Sequence, residues 1–320
     1  MSPNTFTIAA FAQGITYPGS KLDAATPIIQ QSGWNTIIFG LFHIGRIKPP
    51  TNPPQIVGDI YFNDTLIISQ GKYVADPSWP GAISKLKGGS VTTLLASFGG
   101  AKGWVYDFTT IQAIYESNHN SFDKTNLKRN LQLFHDMFPA ITTIDMDNED
   151  NYDVPSFVAF CQMLIGMGFT ITFCPFEEDD FWTGSLVQLE RSNPGAVVWW
   201  NLQCYAGGGS NDPETWAGYI QTALPKFNTD RYILASDWTR FWDTNQQLWD
   251  GHCPPDMQSS LAQFKGDGDS CIGGAFIWTI DQIFIFANSS KQHPGSGCDS
   301  SGSQTAYVNA MLGLKPSDSV

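Results

Sequence analysis

Short apolar runs alternate along the chain with segments in which apolar positions recur at helical spacing. Eight runs rich in Ile, Val, Phe and Thr predict strands, and several are apolar on both faces, as buried parallel strands are. The predicted strands are Phe6–Gln13, Asn35–Ile44, Val91–Gly99, Ile141–Asn148, Phe169–Phe176, Val197–Tyr205, Tyr232–Trp238 and Ile272–Thr279. Amphipathic segments predict helices at Ala24–Gln31, Asn126–Phe138, Pro155–Met167, Ser185–Arg191, Pro213–Leu224, Gln258–Phe264 and Thr305–Leu314.

Repeated strand–helix units in 320 residues predict one (β/α)8 TIM barrel domain over residues 1–320. The stretch from Ile56 to Val74 alternates around Asn63-Asp64 and predicts a β-hairpin inserted after strand two. A doubly wound parallel sheet is the alternative, but such a sheet normally has fewer strands. It also normally has a glycine-rich phosphate loop after the first strand, whereas the single glycine Gly14 follows that strand here. Residues 315–320 are predicted to be a frayed tail.

The charge balance bears on the partners of the chain. Lys and Arg number 17 against 30 Asp and Glu, which gives a formal net charge of −13. A polyanion such as a nucleic acid binds to clusters of basic side chains, so the excess of acidic residues argues against a nucleic-acid partner. The same excess disfavours binding to an anionic membrane surface. No apolar run reaches the roughly 18–20 residues of a membrane span. The 11 Trp, 10 Tyr and 22 Phe favour an uncharged, ring-shaped ligand such as a sugar, although most of these rings belong to the core.

The cysteines indicate a compartment rather than a metal site. All six lie in the second half of the chain, and none forms a CxxC pair, which argues against a zinc knuckle. Cys253, Cys271 and Cys298 lie in or beside polar, glycine-rich segments where disulfides are expected. The even count predicts an extracellular, secreted protein. Met1 to Asn4 lacks the basic segment and cleavage site of a signal peptide, so we expect that the chain starts at a mature end or is made without one.

The end of strand four carries the strongest chemical signal. Asp145, Asp147 and Glu149 are spaced by two and therefore point to one face of the strand, whereas Ile144 and Met146 point to the other. At the carboxyl end of a barrel strand this face opens into the active-site mouth. Three neighbouring carboxyls must share protons, find donors or hold a cation, and their repulsion raises at least one pKa, as a general acid requires.

Two other interpretations of the carboxylate row are open. The row could bind Mg²⁺ or Ca²⁺, but three ligands on one strand rarely surround a cation and no His lies near them in sequence, so we expect no metal and no other cofactor. It could also be an acidic strand end in contact with solvent.

Four motifs and one further segment resemble glycoside hydrolase family 18, the chitinases and endo-β-N-acetylglucosaminidases. The Asp-x-Asp-x-Glu pattern of residues 145–149 lies at the end of strand four, and Ser97-Phe98-Gly99-Gly100, which closes strand three, is similar to the family's Ser-x-Gly-Gly. Gln203-Cys204-Tyr205 after strand six resembles the Gln-x-Tyr of plant-type members, as does Cys174-Pro175-Phe176 after strand five. Trp278 ends strand eight, where the family has a Trp. The resemblance spans the whole predicted barrel.

Two positions depart from the family pattern. The family usually has Asp-Gly where Thr142-Thr143 stand here. The missing Asp lies three residues before Asp145, on the opposite face from the carboxylate row, so its loss affects local support more than the reacting groups. Asn148 stands where an aromatic or aliphatic residue is common.

The resemblance implies a substrate-assisted, retaining mechanism, an exception to the two-carboxylate scheme. Glu149 would protonate the glycosidic oxygen and then activate water, while the 2-acetamido oxygen of the substrate attacks the anomeric carbon. Asp147 would stabilise the oxazolinium ion, Asp145 would share a proton with Asp147, and Tyr205 would donate to the acetamido carbonyl. Trp278 would form the apolar floor beneath the sugar. The implied partner is a glycan or polysaccharide that contains N-acetylglucosamine, either chitin-type chains or the chitobiose core of N-glycans.

Further residues are predicted around the mouth. Gln203 is expected to line the pocket with Tyr205, and Gly100 to allow close approach of the backbone there. Asp237 and Trp238, and the aromatic residues Trp104 and Tyr106, are candidate sugar platforms. Glu177-Glu178-Asp179-Asp180 is expected to be a solvated loop, and none of the five His has a spacing that suggests a ligand or a triad. One helix-sized segment, Arg240–Ser270, separates strands seven and eight, which predicts a shallow, open groove.

Two alternatives to an enzyme remain. The same barrel could be a catalytically inactive lectin or an inhibitor that binds carbohydrate or another protein; the intact row Asp145, Asp147 and Glu149 argues against this, and Thr142-Thr143 argues weakly for it. A storage-type barrel without a ligand is the second, and the Trp residues near strand ends argue against it. We expect a monomer.

Overall fold

Eight parallel strands close into a ring in the computed structural model, which describes residues 6–19, 22–44, 57–205, 211–264, 271–289, 298 and 303–313. The barrel strands are β1 (Thr7–Ala12), β2 (Thr36–Ile44), β6 (Thr93–Gly100), β7 (Thr143–Asn148), β8 (Thr170–Phe173), β9 (Val197–Asn201), β10 (Ile233–Trp238) and β13 (Ile272–Trp278). They pair in this order, and β1 pairs with both β2 and β13 to close the ring. The predicted (β/α)8 TIM barrel is confirmed.

Two antiparallel additions lie outside the ring. After β2 come β3 (Ile60–Phe62), β4 (Thr65–Ser69) and β5 (Lys72–Tyr73), and β3 pairs with the end of β2. Asn63-Asp64 forms the turn between β3 and β4, as the sequence predicts. The second addition is the hairpin β11 (Phe241–Asp243) and β12 (Leu248–Asp250), which follows β10. This hairpin is absent from the sequence prediction.

Helices cover the outside of the strands. They are α1 (Leu22–Gln31), α2 (Trp79–Leu86), α3 (Asp107–Ser117), α4 (Asn126–Met137), α5 (Val154–Gly166), α6 (Asp179–Ser192), α7 (Pro213–Ala223), α8 (Pro254–Ala262), α9 (Ile280–Ser289) and α10 (Gln304–Leu312). Each of the seven predicted helices is present, and α2, α3 and α9 are additional. No helix within the described residues is long and apolar enough to cross a membrane.

Two hydrophobic clusters reflect the two faces of each strand. The larger lies between strands and helices and includes Ile144 and Met146. The smaller fills the barrel interior and consists of Ala9, Phe11, Ile38, Leu95, Cys174, Trp199, Leu234 and Phe276, with Leu41, Val198, Tyr205 and Trp278 packed against it. Because neighbouring residues on a strand alternate between these clusters, Asp145 and Asp147 must face the interior.

One disulfide joins Cys253, before α8, to Cys298, and their Cα atoms are 5.5 Å apart. Cys161, Cys174, Cys204 and Cys271 are free thiols. Of the three cysteines expected in disulfides, Cys271 is therefore unpaired. The predicted frayed tail at residues 315–320 lies outside the described residues.

Candidate active site

The three carboxyls of the β7 row rise from the barrel interior towards its carboxyl-end mouth. Asp145 is 0% exposed, Asp147 is 5% exposed and Glu149 is 8% exposed. Since parallel barrels carry their functional groups at this end, Glu149 is the member best placed to meet a ligand, and Asp145 lies deepest.

The Asp145 carboxylate accepts hydrogen bonds from side chains on three other barrel strands, β6, β8 and β9. The Ser97 hydroxyl donates to Oδ2 at 2.7 Å, the Thr172 hydroxyl to Oδ1 at 2.6 Å, and the Asn201 amide to Oδ1 at 2.8 Å. Ser97 and Thr172 lie directly opposite Asp145 in the strand register. Burial raises the pKa of Asp145, and these three donors oppose that shift.

Asp147 and Glu149 form a hydrogen-bonded carboxyl pair. Two carboxyl groups can make such a bond only if one carries a proton. Burial is the main cause that raises the pKa of Asp147 well above its ordinary value, and the charges of Glu149 and Asp145 add to it. Burial likewise raises the pKa of Glu149. The donors to Asp145 come from other strands, and the proton sharing between Asp145 and Asp147 stays a prediction.

Gln203, two residues after the end of β9, holds this pair in place. Its amide nitrogen donates to Asp147 at 3.0 Å and to Glu149 at 3.1 Å, and its carbonyl oxygen accepts from the Tyr205 hydroxyl at 3.4 Å. The Cys174 thiol lies near Asp147 and lowers the pKa of that carboxyl slightly, against the larger effect of burial. Gln203 is 6% exposed, so its amide positions the carboxyls more than it presents itself to solvent.

Aromatic rings line one side of the mouth. Tyr205 packs against Trp238 with ring centroids 5.3 Å apart, and Trp278 packs against Phe11 at 5.2 Å. Tyr205 and Trp278 both border the interior cluster, and Tyr205, Trp238 and Trp278 are all partly exposed. The structure thus brings Tyr205, Trp238 and Trp278 to the barrel interior and mouth, as expected of a sugar-binding wall.

Asp237 is not brought to this face. Its neighbour Trp238 packs on Tyr205, and adjacent strand residues point to opposite faces, so Asp237 points to the helix side. It is buried there, where the His252 ring nitrogen Nδ1 is 2.9 Å from its carboxylate and the Ser260 side chain also hydrogen-bonds to it. Sequence spacing gives no sign of this pair or of the pair between His43 and Asp107, in which the His43 Nδ1 is 2.8 Å from the carboxylate.

Gly99 allows the backbones of β6 and β7 to approach closely, and Gly100 leaves room for the Leu41 side chain of β2. Gly99 has φ +119°, and a Cβ there would lie 2.0 Å from the Asp147 carbonyl oxygen. Gly100 has φ +124°, and its Cβ would lie 2.6 Å from Leu41. Gly100 is buried, so its role in this structure is to permit packing at the rim.

The loop after β6 carries exposed aromatic residues. Trp104 is 65% exposed and Tyr106 is 43% exposed. Their exposure is compatible with the predicted sugar platforms, since an aromatic face must be accessible to stack on a sugar ring.

The residues that follow Glu149 attach the end of β7 to α3. Asp150 accepts from the Phe108 and Thr109 amides at the start of that helix, at 3.1 and 2.9 Å. Asn148, which departs from the family pattern, is buried and accepts from the Asn151 amide at 3.2 Å. These bonds fix the turn in which Glu149 lies.

Glu177 and Glu178 lie in a loop, as the sequence predicts, whereas the helix α6 begins at Asp179. Asp179 and Asp180 are the first turn of α6, where negative charge interacts favourably with the helix dipole. Glu177 accepts from the Tyr152 hydroxyl at 3.2 Å and pairs with Lys102 at 3.6 Å.

Across the described part of the chain, no group of three or more His, Cys, Asp and Glu side chains is placed to hold a metal ion. The acidic oxygens of the site accept hydrogen bonds from hydroxyl and amide donors.

Comparison with solved structures shows the same fold in family 18 chitinases. Domain 2 of a thermostable chitinase from Pyrococcus furiosus superimposes with a TM-score of 0.58 at 11% identity, covering 97% of this chain and 94% of that one. The catalytic domain of a family GH18 chitinase from the fern Peteris ryukyuensis gives 0.55 at 16% identity, covering 97% and 100%. A xylanase-α-amylase inhibitor protein, XAIP-III, gives 0.50 at 13% identity, covering 91% and 98%.

No family profile and no curated protein sequence matches the chain. At these identities the likeness is one of fold. The chain therefore has a family 18-like barrel, a fold that both chitinases and an inhibitor use.

Proposed function

We propose that this protein is a glycoside hydrolase that cleaves β-1,4 linkages next to N-acetylglucosamine, in chitin-type chains or the chitobiose core of N-glycans. The observation that carries the proposal is the hydrogen-bonded Asp147–Glu149 pair at the mouth of a family 18-like barrel, held by Gln203. A proton donor and a neighbouring carboxylate in a shielded site are the groups that acetal cleavage needs.

The proposed reaction uses the substrate's own acetamido group. Glu149 gives its proton to the glycosidic oxygen as that bond to the anomeric carbon breaks. The acetamido carbonyl oxygen attacks the same carbon and forms a cyclic oxazolinium ion. Asp147 accepts a hydrogen bond from the acetamido N–H and stabilises the positive charge. Water then attacks the anomeric carbon, Glu149 takes its proton, and the product keeps its β configuration.

The surrounding residues have supporting roles in this proposal. Tyr205, whose pKa burial raises well above its ordinary value, stays protonated and donates to the acetamido carbonyl. Trp278 forms the apolar floor, and Trp238 and the exposed Trp104 and Tyr106 offer stacking surfaces beyond it. Asp145 stabilises the row from beneath, while Asp237 takes no part in sugar binding because it faces the helices.

The test compares the wild type with Glu149→Gln on fluorogenic chitobiose and chitotriose glycosides and on a high-mannose N-glycopeptide. We expect the wild type to cleave at least one of them and the variant to lose roughly 10²–10⁴ in rate. The matched control Glu116→Gln changes an exposed helical glutamate and should keep full activity. A fluorogenic cellobiose glycoside, which lacks the acetamido group, should not be cleaved.

A non-catalytic binder is the second candidate, favoured by the shared fold of the inhibitor XAIP-III. Binding of chito-oligosaccharides without cleavage would support a lectin, and the absence of both would support a protein inhibitor. The intact, hydrogen-bonded row favours the enzyme, because a binding protein has no need for a shared proton between Asp147 and Glu149.

We further propose that the protein works outside the cell as a monomer. The Cys253–Cys298 disulfide supports an oxidising compartment, since such bonds are rare where thiols are kept reduced. Mass measurement of the protein purified from its native source, before and after reduction, tests this bond, and light scattering in solution tests the monomer.

A further inference from the structure

Asp150 caps the first turn of α3 from the loop that follows β7. The N-cap residue of α3, Tyr106, makes no side-chain capping bond within the described part of the chain. The amides at the second and third helical positions, Phe108 and Thr109, are the ones that an N-cap side chain normally binds. Here they donate to the two carboxylate oxygens of Asp150, at 3.1 and 2.9 Å. The cap of α3 is therefore supplied by a residue of another segment.

The start of α3 is also attached to the end of β2. Its first residue, Asp107, accepts from the Ile44 amide at 2.6 Å and lies 2.8 Å from Nδ1 of His43. Both Asp107 and His43 are buried, so water competes little for these bonds. Because β6 lies between β2 and β7 in the ring, the first turn of α3 joins the ends of the two strands that flank β6.

The turn that carries Glu149 is bonded to α3 at two places. Asp150 immediately follows Glu149, so the cap also holds the backbone from which Glu149 extends. The Asn151 side-chain amide donates to Gln112 on α3 at 2.6 Å. Within the turn, the Asn148 side-chain oxygen accepts from the amides of Asp150 and Asn151 at 3.3 and 3.2 Å. The two residues after Glu149 are thus both fixed to the same helix.

We propose that Asp150 is a positioning residue for Glu149: its two bonds to the start of α3 hold the backbone that carries the proton donor. This inference rests on the proposed function and deepens it, because it assigns the placement of the acid to a residue outside the β7 row. Gln203 holds the Glu149 carboxyl itself, whereas Asp150 holds the chain beneath it and touches no reacting atom. Displacement of a reacting group by about 1 Å can cost roughly 10²-fold in rate.

The experiment compares Asp150→Ala with Asp153→Ala. Asp153 lies on the same loop and caps its own helix, α5, by accepting from the Ser156 amide at 2.9 Å. Each variant removes one helix cap and one negative charge, so both should lower the melting temperature to a similar extent. Only Asp150→Ala should lower kcat on a chitotriose glycoside, by roughly 10–100-fold, with KM little changed. Asp150→Asn keeps one acceptor oxygen and should recover part of that kcat.

A second readout does not depend on cleavage. The carbon-13 signal of the Glu149 carboxyl, assigned by its loss in Glu149→Gln, is recorded by NMR in each variant. Since the Glu149 side chain takes a new position when its backbone is released, we expect this signal to shift or broaden in Asp150→Ala. The signal should stay in place in Asp153→Ala.

The possible outcomes separate this inference from the proposed function. Wild-type kcat in Asp150→Ala, an unmoved Glu149 signal in that variant, or an equal loss of kcat in Asp153→Ala overturns the inference. A moved signal in Asp150→Ala alone, in a protein that cleaves no glycoside, supports the positioning role and rejects the proposed function. Should Asp150→Ala fail to fold, Asp150→Asn is judged by the same two measurements.

Discussion

Asp145 is fully buried, and the donors around it come from strands on both sides. Ser97 on β6, Thr172 on β8 and Asn201 on β9 all donate to it, and Asn201 in turn accepts from the Trp199 indole at 2.9 Å. A buried carboxyl without such partners is costly. These donors allow the base of the row to remain rigid, and a rigid base fixes where Asp147 and Glu149 emerge.

Replacement of one donor should weaken the fold measurably. Thr172→Val keeps the side-chain shape but removes the hydroxyl that donates to Asp145, so we expect the free energy of unfolding to fall by about 1–3 kcal/mol. Urea denaturation measures it. Thr142→Val, at an exposed position near the start of β7, is the control and should change stability by less than about 0.5 kcal/mol. Equal stability of the two variants would contradict the assigned role of Thr172.

Some residues of the site can be predicted from the sequence and others cannot. The alternation on β7 is sufficient to place Asp145, Asp147 and Glu149 on one face. The donors Thr172 and Asn201 depend on strand order and register, which involve residues far apart in the chain. Alternation also separates Asp237 from Trp238, so these two adjacent residues could not both face the pocket. The contacts of Glu177 depend on the path of three separate loops, which no local pattern encodes.

At the scale of elements, buried strands were the most predictable part of the chain. Several are apolar on both faces, and this pattern leaves little ambiguity. The helix α2 contains Pro80 and Gly81, and α3 contains Thr109-Thr110, so their local propensities obscure the helical period. The hairpin of β11 and β12 turns through residues 244–247 without a glycine, and the usual hairpin signal is therefore missing.

The β6–β7 contact depends on a glycine. Gly99→Ala would place a Cβ 2.0 Å from the Asp147 carbonyl oxygen at a φ of +119°. We expect a loss of about 3 kcal/mol or more in stability, from overpacking and backbone strain together. Thermal unfolding measures it. The control Gly184→Ala lies within α6 with nothing inside 4 Å of the new Cβ, and it should stabilise by roughly 0.5–1 kcal/mol. Similar melting of both variants would contradict the close approach.

At the scale of the whole molecule, several buried carboxyls make stability depend on pH. Burial raises the pKa of Asp145, Asp147, Glu149, Asp150, Asp237 and Asp281. Between the ordinary carboxyl range and these raised values, the folded state binds more protons than the unfolded state. Stability therefore falls as pH rises through that window.

Asp147→Asn should reduce this dependence. It removes the carboxyl whose pKa is raised well above the ordinary value, so we expect a higher melting temperature than wild type at pH 7–8 and a flatter decline above mildly acidic pH. Melting curves from pH 4 to pH 8 measure it. Lys128 lowers the pKa of Asp123, so the control Asp123→Asn should not raise the melting temperature at neutral pH. A variant less stable than wild type at pH 8 would contradict the prediction.

The sheet of β3, β4 and β5 bears on how the molecule avoids aggregation. A closed ring has no strand edge, but this added sheet ends in an edge strand that another chain could extend. That strand has only two residues, one of them the exposed Lys72, and α4 packs beside it. The Gly71 amide donates to Asn130 on α4 at 2.7 Å, and the Tyr73 ring packs on Phe138 at 6.1 Å. The edge is thereby too short and too well covered to template a growing fibril.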